Sequence, residues 1–133
     1  MASFGEEMAR IAMEQEGKPY LRGTSGPVSF DCSGLVRYCA IKAGYTRQLV
    51  GLYNEGGAQQ LGKYYTTGVM ERDLQPGDLV FCKNSASDMY IGHVGIYIGD
   101  KNMINAVEGK GVVISNFAGS WYTDKCVSFG RLR

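Results

Sequence analysis

Apolar positions recur at helical spacing in the first third of the chain and at strand spacing in its second half. Phe4, Met8, Ile11 and Ala12, with Gln15, share one face of a predicted helix over residues 4–16. Ser3 with Glu6 matches a capping box before it, and Gly17 is a stop after it. Pro19 turns Lys18 towards an extended conformation. A second helical pattern, Leu35, Val36, Cys39 and Ala40, predicts a helix from about 32 to 43 that stops at Gly44. Residues 45–70 are weakly patterned and are expected to shape one rim of a cleft. Within them Asn54 is a candidate cap for a short helix through Gln59, Gln60 and Leu61, a reading that Gly56-Gly57 weakens.

From Leu74 the period becomes two. The Pro76-Gly77 turn leads into Leu79-Val80-Phe81-Cys82, apolar throughout and therefore expected to be a central strand covered on both faces. Residues 93–98 alternate, with Val94, Ile96 and Ile98 on one face and His93, Gly95 and Tyr97 on the other. A turn over residues 99–102 leads to strands over 103–107 and 112–115, then a loop with Trp121 and a last strand over 126–132. Helices first and strands later predict an α+β domain.

Composition narrows the function classes. A chain of 133 residues with 44% hydrophobic and 20% charged residues reads as one globular domain over 1–133. A net charge of +1 gives no electrostatic case for nucleic acid or an anionic membrane surface. No apolar run approaches the length of a membrane span, and neither a signal peptide nor a targeting tail is read. Cys32, Cys39, Cys82 and Cys126, with a single histidine, fit no metal-binding spacing. Cys39 and Cys82 read as apolar fillers, and a disulfide among the four is left open.

Cys32 carries the candidate chemistry. It sits where a Gly-, Pro- and Ser-rich segment gives way to the second helix, so unpaired N–H groups and the positive end of the helix dipole should favour its thiolate. Those N–H groups could also receive an oxyanion. A cysteine nucleophile needs a base, and His93 is the one histidine. Gly95 beside it is expected to leave that strand face open for something to approach. The group that orients His93 follows from hairpin parity. Asn105 shares its face if the intervening loop is odd, and Glu108 does if it is even.

These segments resemble the NlpC/P60 family of cell-wall peptidases. The resemblance is carried by Gly17-Lys18-Pro19-Tyr20 with Gly23, Phe30-Asp31-Cys32-Ser33-Gly34-Leu35-Val36, Leu74-Gln75-Pro76-Gly77-Asp78-Leu79-Val80-Phe81, and His93-Val94-Gly95-Ile96-Tyr97-Ile98-Gly99 with Met103-Ile104-Asn105-Ala106. It implies a papain-like fold with the cysteine helix packed on a central antiparallel sheet. It implies a triad of Cys32, His93 and Asn105, with Tyr20 assisting at the oxyanion and Asp31 and Ser33 lining the substrate subsite. Asn105 stands where the family most often has histidine, and Gly23-Thr24 where it often has two glycines.

The implied activity is hydrolysis of the peptidoglycan stem peptide between D-isoglutamate and the next diamino acid, outside the cell or in the wall. The implied mechanism runs through a thiolate–imidazolium pair, with no cofactor or metal, in a monomer. An amidase or acyltransferase on the same site, and a silent wall-binding domain, are the alternatives.

Overall fold

The first helix begins where its cap pattern places it. In the computed structural model, which describes residues 2–49, 56–119 and 121–133, Ser3 accepts from the Glu6 N–H and the Glu6 carboxylate accepts from the Ser3 N–H. Helix α1 (Phe4–Glu14) buries Met8, Ala9, Ile11 and Ala12. Helix α2 (Cys32–Lys42) lies against it and against the sheet, with Leu35, Val36, Cys39 and Ala40 on its inner side. Gly17 and Gly44 take positive φ just past the two helix ends. A short helix α3 (Gly57–Gln60) runs into a π-helical turn over Leu61–Tyr65. The proposed cap Asn54 lies outside the described residues.

Six strands follow: β1 (Thr66–Val69), β2 (Leu79–Cys82), β3 (His93–Gly99), β4 (Asn102–Val107), β5 (Gly111–Asn116) and β6 (Cys126–Leu132). They form one antiparallel sheet in the order β1-β6-β2-β3-β4-β5. Strand β2 is internal and wholly buried, as its apolar run implies. Its alternate residues feed two cores. Leu79 and Phe81 join Val94, Ile96, Ile104 and Ala106 beneath the helices; Val80 and Cys82 join Met103 and Phe117 on the far side. Strand β1 has no expected counterpart. Thr66-Thr67-Gly68-Val69 is too short and too weakly alternating to read, and it forms by pairing with β6 at the sheet edge.

One cysteine expectation is overturned. Cys82 is no apolar filler: it faces Cys126 across the β2–β6 ladder and the two are joined by a disulfide. Adjacent strands set the pair side by side at a Cα–Cα distance of 4.0 Å, although 44 residues separate them in sequence. Cys39 is free and buried, as expected.

Candidate active site

Two segments far apart in sequence carry the site, and each has a local reason for its shape. Asp31 caps α2. Its Oδ1 accepts from the Gly34 N–H at 2.6 Å, and its Oδ2 accepts from the Gly23 N–H at 2.9 Å. One carboxylate therefore ties the preceding loop to the helix start and sets the position of Cys32. A Cβ at Gly34 would collide with the Thr24 carbonyl, so only glycine lets the loop approach this closely. Asp31 and Ser33 do line the cleft, but both are buried, and the Ser33 hydroxyl also reaches Asp31 Oδ1 at 3.4 Å.

The half-buried Cys32 thiol meets the N–H groups of Val94, Ser33 and Cys32 itself, all of which favour its thiolate. Burial outweighs them, and with the nearby Asp31 charge it pushes the thiol up to about 11. Here the expectation of a lowered thiol pKa fails. The helix terminus acts as supposed, but desolvation dominates. Burial also lowers the pKa of His93, against the hydrogen bond to Asn105 that raises it. Both shifts favour the neutral forms of the two groups.

Parity at the β3–β4 hairpin is decided by a bulge. Asp100 and Lys101, both at positive φ, form a two-residue turn, which alone would turn Glu108 to the His93 face. The register then shifts between Tyr97 and Gly99, and Ile96 pairs with Ile104. That extra residue restores even parity and puts Asn105 on the side of His93. Its Oδ1 lies 2.7 Å from His93 Nε2.

The surrounding groups settle the tautomer. Asn105 Nδ2 donates to the Val113 carbonyl at 3.0 Å and to Ser115 Oγ at 3.1 Å. A carbonyl only accepts, so the amide nitrogen must face it and Oδ1 must face His93. His93 therefore donates from Nε2–H, and Nδ1 of the neutral ring keeps its lone pair. Asn105 is fully buried behind the histidine. The gap expected at Gly95 is filled from within the protein: a Cβ there would meet Met103 Sδ at 2.5 Å.

Tyr20 reaches the site through its bridge to Phe30. Burial first, and then the neighbouring acidic groups Cys32, Asp31 and Glu108, raise its pKa, which keeps the hydroxyl protonated and able to donate. Cys32, His93, Tyr20, Asp31 and Ser33 open onto one cleft of about 1020 Å³. Glu108 stands at its rim near Tyr20 rather than behind His93. Residues 56–59 form part of the wall, as expected of that region. Gln59 holds the far rim by accepting from the Ile91 N–H at 2.9 Å.

Two further contributors escaped the sequence reading. The Tyr122 hydroxyl donates to Asn105 Oδ1 at 3.5 Å, and Lys83 lines the cleft beside β2. Neither carries a local pattern; both arrive through the β2–β6 pairing.

The sequence model of the NlpC/P60 family matches residues 17–131. The bifunctional muramidase/DL-endopeptidase CwlT of Bacillus subtilis is 34% identical over 98% of this chain, and the probable endopeptidase p60 of Listeria monocytogenes is 40% identical over 91%. The chain spans only 37% and 22% of those two proteins. Among solved structures, NlpC1 from Trichomonas vaginalis superposes with a TM-score of 0.78 at 26% identity, over 99% of this chain and 45% of that one.

Proposed function

The chain belongs to the NlpC/P60 family of peptidoglycan hydrolases, and from that premise we propose that it is a cysteine endopeptidase. It cleaves the stem peptide between D-isoglutamate and the following diamino acid. The observation that carries the proposal is the His93 tautomer: Nε2–H donates to Asn105 Oδ1, and a basic Nδ1 remains on a ring that shares a cleft with the Cys32 thiol.

From this resting state the steps follow. Cys32 Sγ attacks the amide carbonyl carbon as its proton passes to His93 Nδ1, so charge separates only when the substrate arrives. The C–S bond forms, and the carbonyl electrons move to oxygen. That oxyanion receives hydrogen bonds from the Cys32 N–H and the Tyr20 hydroxyl. The C–N bond then breaks, and His93 returns its proton to the leaving amine. Water, deprotonated by His93, hydrolyses the thioester and releases Cys32 as the thiol. Asn105 holds the imidazole throughout and stabilises its charged form.

A location outside the cell or in the wall goes with this reading. The Cys82–Cys126 disulfide supports it, because such bonds persist in oxidising surroundings. Peptidoglycan digested with the wild-type chain and with Cys32→Ala, analysed by mass, provides the test. The expected product carries a new amino terminus on the third stem residue, and only from the wild type. A new terminal L-alanine would mark an amidase, and equal products from both proteins would end the cysteine mechanism.

A further inference from the structure

The far side of the cleft carries a cation that makes no ion pair among the described residues. Lys83 directly follows β2 and is half-buried, with its backbone N–H held by the Lys125 carbonyl at 2.8 Å. Lys83 lines the cleft. Among the described residues, the ion pairs engage Arg10, Arg72, Lys101, Lys125 and Arg131, but not Lys83. The acid on the same rim, Asp88, is turned into its own loop, where it accepts from the Ser85 N–H at 3.0 Å. An ammonium group at a substrate wall that pairs with no carboxylate among the described residues is suited to one supplied by the ligand.

The sheet order tells which part of the substrate would bring it. Strand β3, with His93, lies between β2 and β4. Tyr20, Asp31 and Glu108 gather on the β4 side, and Lys83 on the β2 side. On the reaction proposed above, on which this inference rests, the oxyanion forms beside Tyr20 and the leaving amine must reach His93. The residue that supplies the amine then extends across His93 over β2. We propose that Lys83 binds a side-chain carboxylate on that residue and so selects a diaminopimelate-type diamino acid over a lysine-type one. A lysine side chain would instead bring a second ammonium towards the first.

The probes are two carboxy-terminally amidated tripeptides, L-Ala-γ-D-Glu-X, where X is meso-diaminopimelate with a free side-chain carboxylate or L-lysine. Binding is measured by calorimetry on Cys32→Ala and turnover on the wild-type chain, each with and without Lys83→Met. The expected result is a preference for the diaminopimelate peptide of about tenfold, the scale of one charge-assisted hydrogen bond. Lys83→Met should abolish it mainly through Kd and KM, and Lys83→Glu should reverse it. Unchanged melting temperatures would confirm that the variants fold. A wild type without preference, or a Lys83→Met variant that weakens both peptides alike or neither, overturns the proposal. Preferential, Lys83-dependent binding without hydrolysis of either peptide would uphold the subsite and refute the endopeptidase reading instead.

Discussion

Replacing Asn105 with aspartate looks like an improvement, since a carboxylate would stabilise an imidazolium better than an amide does. The structure predicts the opposite above acidic pH. Asn105 is fully buried and works in both directions, accepting from His93 at 2.7 Å and donating to the Val113 carbonyl at 3.0 Å. An ionised aspartate keeps the first contact but cannot make the second. It strands the Val113 carbonyl, at about 1–3 kcal/mol, and faces that oxygen with a negative charge in a dry site. Together the loss should be about 2–4 kcal/mol at pH 8.

Protonated, the same side chain donates from its hydroxyl to Val113 and accepts from His93 with its carbonyl oxygen, imitating asparagine. The folded-state pKa of the introduced acid is thus raised above its unfolded value. Its stabilising form is fully present below the unfolded pKa and is lost as pH rises through the folded one. Urea unfolding of wild type and Asn105→Asp at pH 5 and pH 8 measures this. The stability gap should be wide at pH 8 and narrower at pH 5. Equal stability at pH 8, or a gap that widens on acidification, would refute both the amide orientation and the tautomer derived from it.

Four further outcomes follow from the same structure. Alkylation of Cys32 by iodoacetamide should accelerate about tenfold per pH unit between pH 7 and 9, as expected of a thiol pushed up to about 11; a rate flat from pH 5 to 8 would restore the preformed ion pair. Because burial lowers the His93 pKa, the acid limb of kcat/KM should fall below pH 6.5. For the same reason the unfolded chain takes up a proton first, so His93 makes stability decline as pH drops through 6.5, which acid titration of the melting temperature would detect. Finally, denatured unreduced protein should take up two alkyl labels and reduced protein four, and reduction should cost up to about 4 kcal/mol by loop-closure entropy; four labels without reductant would show that the bond does not form.

What was legible in the chain divides along the range of the forces involved. The capping box at Ser3, the start of α2 at Cys32 and the alternation of β3 depend on neighbours within a few residues, and each is found where its pattern lies. The pairing of Cys82 with Cys126 and the existence of β1 depend on β6 returning through the middle of the sheet, which no local pattern records. The choice of Asn105 over Glu108 lies between these cases. Parity reduced it to two outcomes, and a single bulge beside a two-residue turn selected one.

The electrostatic misreading of Cys32 has the same origin and the larger consequence. A helix terminus can be read from sequence because it is local; desolvation cannot, because it is imposed by whatever the rest of the chain lays over the sulfur. The backbone N–H of Val94, the residue next to the proposed base, works against that cover by favouring the thiolate, but burial outweighs it. The strand that carries His93 therefore also supplies a group that would stabilise the charged sulfur once it forms. In the proposed mechanism, a neutral thiol and a base with an available Nδ1 spare the site a buried ion pair at rest and leave substrate binding to draw the charges apart.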